Sequence, residues 1–391
     1  MKKTLRNIKT TFSNMDKVLF FSTLILIVFG TLNIVTASSR EAVVNADANM
    51  FYFFFKHMVI LIMGLVAFLI LINGVKTKEY KSWMVIIFPI VVALNAYLVL
   101  KGVSTRGANN WIDLKFLKVQ PSEFAKPILI ITMGVLFNTF NKKLSRKNYK
   151  NDKEIWTILG ISLIFPVLVF LQKDLGTAII LMGIFFVEFL FSPIKKEDKY
   201  KAGFAALALL AILLLVRLSI TGYVLSNAQE SRLKNFYNPC SKYEDTGYQV
   251  CNAFIAINNG GLFGVGIGKS TQKYSYIPEP HTDMVFAIIA EEYGVLVCAA
   301  IFLLYIIILL RILSLARKTK SIQNKYICLG MGTYIFLHIF VNLGGLFGVI
   351  PLTGVPLPFL SYGGSFTLSL IASLGVIQRI HIEMKSSKNK K

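Results

Sequence analysis

Ten stretches of apolar residues, separated by short polar segments, organise this 391-residue chain: about 18–37, 51–73, 83–100, 121–140, 155–171, 174–192, 202–220, 284–310, 327–350 and 364–378. Most approach the ~20 residues a helix needs to span a bilayer, and the shorter ones sit near the ~17-residue limit. The pattern predicts an all-α, polytopic membrane protein of ten transmembrane helices, with residues 1–391 forming a single membrane domain. The fifth and sixth stretches meet at Gln172-Lys173-Asp174 and read either as two spans or as one broken span. The run from Val18 closes on small residues, as a signal peptide does. It exceeds the ~7–15 residues of a signal-peptide core, so it reads as an uncleaved first span.

Charge fixes the orientation. The chain is 55% hydrophobic with a mean hydropathy of +0.61, yet carries a net charge of +22. In a soluble protein that charge would suggest nucleic acid. With ten spans and an inner N-terminus, the inner segments 1–17, 74–82, 141–154, 193–201, 311–326 and 379–391 hold two thirds of the 42 Lys and Arg residues. This positive-inside bias favours ten spans, places both termini in the cytoplasm and accounts for the basic charge without nucleic acid.

The inner segments are short and leave no room for a catalytic domain, so chemistry is expected outside. One outer loop is long, covering 221–283 between the seventh and eighth spans. Loops beyond ~12–15 residues are usually functional or disordered, and this one mixes apolar runs with glycines and charges. Within it, Tyr248 to Ile257 has the pattern of a short amphipathic helix lying at the membrane surface. Cys240 and Cys251 share this loop; a disulfide and two free thiols both fit the sequence. The four cysteines lack metal-ligand spacing and the four histidines do not cluster, so neither a dedicated metal site nor an organic cofactor is visible. Two smaller outer segments, 102–119 and the proline- and glycine-rich 348–364, also look specialised. Non-helical backbone near membrane depth survives only when buried in protein or lining a cavity.

The candidate chemistry lies at these outer ends. Asp283 stands where the long loop enters the eighth span, with Glu279 and His281 just before it. It reads as a helix N-cap or first-turn acid, or as a general base, in the company of the outer-side acids Glu123 and Asp174. Glu123 and Lys126 share a helix face at i, i+3, as a structural ion pair or as substrate contacts. Glu291 and Glu292 lie ~12–13 Å deeper than Asp283 and point away from its face and from each other. Both, like Glu188, are expected to be bundle-interior partners of a Lys or Arg. Gly264-Val-Gly-Ile-Gly-Lys-Ser270 imitates a phosphate-binding loop, but Phe263 stands where that motif needs glycine. Lys269 and Lys273 are the anion contacts that remain in this region.

The runs Gln120-Pro-Ser-Glu-Phe-Ala-Lys126, Asp174-Leu-Gly-Thr-Ala178, Gly247-Tyr-Gln249, Pro280-His-Thr-Asp283, Ala287-Ile-Ile-Ala-Glu-Glu292 and Pro356-Leu-Pro-Phe-Leu-Ser-Tyr-Gly-Gly364, in this order and spacing, resemble the SEDS (shape, elongation, division and sporulation) family over essentially the whole chain. The stretch from Gly268 to Glu279 is more similar to the FtsW and SpoVE branch than to the RodA branch. The resemblance implies a ten-span peptidoglycan glycosyltransferase of cell division in the cytoplasmic membrane. Such an enzyme polymerises lipid II at the outer face, working with a class B penicillin-binding protein and other division proteins. It maps the essential acid to Asp283 and the Glu and Lys of the fourth-span motif to Glu123 and Lys126. Two departures stand out. The family often reads Gly-Ala-Arg-Arg-Trp-Ile where this chain has Gly107-Ala-Asn-Asn-Trp-Ile112, and Lys173 replaces a frequent proline. The lost arginines leave Arg106, Lys115 and Lys118 to supply charge there, beside Trp111.

Transfer from a pyrophosphate-linked sugar starts with a good leaving group, so one base plus positive charge suffices, unlike the carboxylate pair of common glycosidases. The expected set is Asp283 as base, with Glu123, Lys126, Arg106, Trp111, Lys269, Lys273 and His281 toward substrate. A divalent cation such as Mg²⁺ or Mn²⁺ on the pyrophosphate is compatible with a single carboxylate. The competing readings are a lipid II flippase that uses the intramembrane acids as a polar path, and a non-catalytic scaffold for division proteins.

Overall fold

A computed structural model of the chain describes residues 11–44, 49–105, 108–113, 118–144, 153–221, 230, 233–234, 236, 239–240, 245–274 and 277–388. Its helices are α1 (Lys17–Val44), α2 (Tyr52–Gly74), α3 (Tyr80–Lys101), α4 (Pro121–Leu144), α5 (Lys153–Leu171), α6 (Leu175–Leu190), α7 (Lys196–Thr221), α8 (Asp245–Gly260), α9 (Val285–Lys318), α10 (Ile322–Leu346) and α11 (Gly364–Lys388). Three short strands, β1 (Val103–Thr105), β2 (Ala108–Asp113) and β3 (Lys118–Val119), join α3 to α4 as an antiparallel sheet. Among the described residues eight helices are long and apolar enough to cross a membrane: α1 to α5, with α3 extended back to Thr77, and α9 to α11. The protein is a helical, multi-pass membrane protein. α6 is apolar but has only 16 residues, and α7 opens on the charged Lys196-Glu197-Asp198.

The chain forms two compact units. The first comprises Met1–Lys76, Ser231–Ser314 and Ile335–Lys391. In it, α2 and α11 pack closely because both carry glycine at the contact. A Cβ on Gly64 would fall 2.8 Å from Ile371 Cδ1, and one on Gly375 3.3 Å from Phe68 Cα. Small residues at such contacts let helices approach where lipid gives no hydrophobic drive. At one end, Arg311 of α9 donates from Nη2 to Asp16 Oδ2 at 2.7 Å. Gln378 of α11 exchanges bonds with the Asp16 main chain, and Arg379 donates to Ile72 O. The start of α1 and the ends of α2, α9 and α11 therefore meet on one side. Glu41, Phe53, His281 and Tyr362 gather at the opposite end.

The second unit comprises Thr77–Glu230 and Leu315–Tyr334. Here α3, α4, α5 and α6 pack together, with β2 laid on α3 and α4. Of the two readings of stretches five and six, the structure has two helices. Gln172-Lys173-Asp174 forms the turn between them, and Lys173 takes a left-handed φ of 66°, a value closed to the proline the family often carries. Asp174 caps α6 by accepting from Thr177 N at 3.1 Å.

The long segment between α7 and α9 contains α8, which spans the amphipathic segment seen in the sequence. The open question about its cysteines is resolved: Cys240 and Cys251 are bonded to one another, with Cα atoms 5.1 Å apart. Beyond α8, residues 261–266 patch a break in α9. Gly294 has φ 77° and ψ 179°, which interrupts the helix. The backbone groups exposed there pair with the loop: Val265 N donates to Glu291 O (2.9 Å), Gly266 N to Glu292 O (3.1 Å) and Val295 N to Gly261 O (2.9 Å). Irregular backbone at membrane depth requires such internal partners. Gly294→Ala is expected to destabilise the protein by about 1–3 kcal/mol or more, since the φ is unfavourable for alanine and its Cβ would sit 2.4 Å from Leu262 O. Thermal unfolding in detergent checks it.

Candidate active site

Asp283 lies in the turn that leads into α9 and is nearly buried. Thr282 shapes the turn, its hydroxyl reaching Glu279 O at 2.8 Å and Asp283 Oδ1 at 3.1 Å, and Glu279 adopts a φ of 46°. The capping role considered from sequence is not made. Among the described residues Asp283 accepts no hydrogen bond from a helix N–H and pairs with no cation. Its Oδ2 points toward Gly354, where a Cβ would lie 3.7 Å away.

The other acids singled out from the sequence are differently engaged. Glu123 pairs with Lys126 through both oxygens, at 2.7 and 2.8 Å, with both side chains buried in the first turns of α4. The Lys126 ammonium also sits 5.8 Å from the Tyr334 ring centroid. The i, i+3 ion pair read from sequence is thus formed. Asp174 accepts from Asn110 Nδ2 (2.6 Å) and Gln120 Nε2 (3.0 Å) as well as from Thr177 N. Asn110 occupies one of the positions where the family often has arginine, and its amide ties β2 to the start of α6. Trp111 is half-buried on β2, opposite Val103. Arg106 and Lys115 lie outside the described residues.

Glu291 and Glu292 have distinct tasks. Glu292 Oε1 binds Lys273 Nζ at 2.7 Å in a fully buried pair, and the same ammonium donates to Gly268 O at 2.8 Å. The expected cation partner is present for Glu292. For Glu291 it is replaced by neutral donors: the Ser270 hydroxyl, Thr271 N (3.2 Å), Thr271 Oγ1 (3.0 Å) and Gln272 N (3.3 Å). These hold the short 3₁₀ turn Gln272–Tyr274. Glu188 departs from expectation as well. Fully buried, it lies against Gly330 and Ile130, and neither oxygen has a hydrogen-bond partner among the described residues. Of the two lysines expected to meet anionic substrate, Lys269 is exposed and Lys273 is buried on Glu292.

His281 is also buried rather than open. Its ring lies 4.4 Å from Phe53 and 5.2 Å from Tyr362 between centroids, and Nδ1 is 3.4 Å from Glu41 Oε2. Burial, with a smaller contribution from Tyr52, pushes the Tyr362 phenol up to about 12. It therefore stays protonated at neutral pH.

Segment 350–363 packs beside the Asp283 turn. Tyr362 N donates to His281 O at 2.8 Å. Its prolines lack N–H groups, so its carbonyls are fixed by side chains from the helices. Tyr305 donates to Pro358 O (2.5 Å), His338 Nδ1 to Pro356 O (3.1 Å) and Asn342 Nδ2 to Val355 O (2.8 Å). Gly30 of α1 leaves room for this segment, since a Cβ there would lie 2.5 Å from Phe359 O. Sequence reasoning passed over Tyr305, His338 and Asn342. The available signal was a polar group inside an apolar stretch, which is rarely idle.

Fold and site together define a multi-pass membrane protein with a lightly held carboxylate at one end of a broken helix. A family model described as "Cell cycle protein" (FTSW_RODA_SPOVE) matches residues 16–386. The chain belongs to this FtsW, RodA and SpoVE family, the one its motifs resemble. It is similar to the "Probable peptidoglycan glycosyltransferase FtsW" of Bacillus subtilis (29% identity, covering 98% of this chain and 94% of the relative). It is also similar to "Stage V sporulation protein E" of Bacillus subtilis (29%; 93% and 96%) and to "Peptidoglycan glycosyltransferase MrdB" of Escherichia coli (32%; 83% and 84%). Among solved structures it resembles a chain of a peptidoglycan synthase complex, with a TM-score of 0.71 and 23% identity over 95% of this chain and 98% of that one. It likewise resembles the rod shape determining protein RodA of Thermus thermophilus, with a TM-score of 0.63 and 23% identity over 94% and 96%.

Proposed function

We propose that this chain is a peptidoglycan glycosyltransferase that polymerises lipid II into glycan strands at the outer face of the cytoplasmic membrane during cell division. The observation that carries the catalytic assignment is the contrast among the acids. Glu123 and Glu292 are neutralised by lysine, while Asp174 and Glu291 are each filled by several donors. Among the described residues Asp283 has one hydroxyl, that of Thr282 on Oδ1. A lightly held carboxylate at the mouth of a helix is suited to act as a general base.

In this reading Asp283 takes the proton from the acceptor sugar 4-hydroxyl. The freed oxygen forms a bond to C1 of the donor sugar, and the C1–oxygen bond to pyrophosphate breaks, with its electron pair leaving on the pyrophosphate. Lys269, exposed just before the 3₁₀ turn Gln272–Tyr274, supplies positive charge to that leaving group. If a divalent cation such as Mg²⁺ or Mn²⁺ takes part, Asp283 and the substrate phosphates would hold it, and it would supply charge neutralisation to the leaving pyrophosphate. Among the described residues no group of three or more His, Cys, Asp or Glu gathers that could hold one alone.

The ten-span topology, with both termini cytoplasmic, rests on the positive-inside bias. The convergence of Asp16, Arg311, Gln378 and Arg379 supports it, because these residues fall on inner ends in that topology. A glycan polymer needs crosslinking, so the natural partner is a class B penicillin-binding protein; one similar fold comes from a complex described as coordinating polymerisation and crosslinking. The test is incubation of the purified full chain with lipid II in detergent, with and without candidate transpeptidases. Glycan ladders on gels are the expected result. A chain that makes none with any partner, but moves labelled lipid II across vesicles, is a flippase instead.

A further inference from the structure

We infer that Asn342 is a positioning residue for the acid at 283, acting through the main chain. It sits on α10, inside the ninth apolar stretch of the sequence, and is 2% exposed. Both hydrogens of its amide are used on carbonyls from separate parts of the chain. Nδ2 donates to Asp283 O at 2.7 Å and to Val355 O at 2.8 Å. One side chain thereby ties the turn that presents Asp283 to the segment whose Gly354 faces Asp283 Oδ2. The orientation of the amide is unambiguous, since only the nitrogen can bridge two carbonyl oxygens.

The arrangement has a cost that a purely structural residue would avoid. Oδ1 of Asn342 is buried with no hydrogen-bond partner among the described residues, and such an atom needs an explanation in a native structure. The two carbonyls supply it. Asp283 is the residue between Thr282, which holds Oδ1, and Met284, whose carbonyl accepts from Ala287 N. Asn342 fixes the main chain between these two points, and so fixes the origin of the carboxylate side chain. Glycosyl transfer needs the base within hydrogen-bond reach of a hydroxyl held elsewhere. A displacement of ~1 Å at such a contact is worth roughly 100-fold in rate.

This inference rests on the reading of Asp283 as the base, and the experiment separates the two. Initial rates of lipid II polymerisation by the full chain in detergent are measured for wild type, Asp283→Asn, Asn342→Leu and Asn342→Gln, with melting curves for each. Leucine keeps the branching of asparagine and removes both donors; glutamine keeps both donors but sets them one methylene farther out. The expected result for each folded Asn342 variant, assayed well below its melting midpoint, is a kcat about 10- to 100-fold lower with KM changed less than about twofold. Asn342→Gln keeps a melting temperature near wild type while still losing kcat. A folded Asn342 variant with wild-type kcat, or one altered only in KM, overturns the inference. So does failure of both variants to fold, which would make Asn342 a folding residue alone. Loss in Asp283→Asn alongside full activity in the Asn342 variants sinks this inference only. Full activity in Asp283→Asn removes the base assignment and this inference with it.

Discussion

Asp283→Asn is expected to lower lipid II polymerisation by about 10²–10⁴-fold, the range spanned by a positioned general base, while the protein stays folded. Asparagine preserves the size of the side chain and retains an oxygen to accept from Thr282 Oγ1, which now lies 3.1 Å from Oδ1. No ion pair is lost, because among the described residues no cation pairs with Asp283. No helix cap is lost either, because α9 starts without one from this side chain. The substitution therefore removes proton-accepting capacity and little else. Glycan ladders from purified wild-type and variant protein, compared at equal folded fraction, measure the effect. Wild-type rates in the variant would move the base to another group.

Lys273→Met should destabilise the protein by about 3–5 kcal/mol, the usual consequence of leaving one member of a buried ion pair unpartnered. Glu292 would lose the ammonium at 2.7 Å and remain in a dry interior. Adding Glu292→Gln removes the orphaned charge, and the double variant should recover most of that loss. The same pair of proteins decides what Lys273 does. If its ammonium serves to hold residues 268–274 on α9, the double variant polymerises lipid II at close to the wild-type rate, which is the result expected from the geometry. A folded but inactive double variant would assign Lys273 to the pyrophosphate. Melting temperatures and initial rates in detergent supply both readings.

What was legible in the sequence depended on the range of the interaction. Helix positions followed from apolar runs, and the Glu123–Lys126 pair followed from i, i+3 spacing, because both are local. A cation was expected for Glu291, Glu292 and Glu188. Lys273 supplies it for Glu292, but Glu291 is satisfied by hydroxyls and amides of residues 270–272, and Glu188 lies against Gly330 with no hydrogen-bond partner among the described residues. Lys273 and His281 were expected toward substrate, and both are buried among protein groups. Asn342 was invisible because its meaning lies in two carbonyls, 59 and 13 residues away along the chain. Gly264, the first glycine of the run that imitates a phosphate loop, packs its bare backbone against α9. A Cβ on Gly264 would fall 2.2 Å from Glu292 O.

The break at Gly294 also sets how the protein comes apart. A continuous helix frays from its ends, but α9 is completed in its interior by residues 261–266, which lie outside the helix. Neither piece can keep its hydrogen bonds without the other, so residues 261–266 and the first turns of α9 open together or not at all. Amide exchange at Val265, Gly266 and Val295 should then follow one common rate. The segment between α8 and α9 is in that sense part of the helix that follows it, and cutting it anywhere between Gly261 and Gly266 would loosen the turn that holds Asp283.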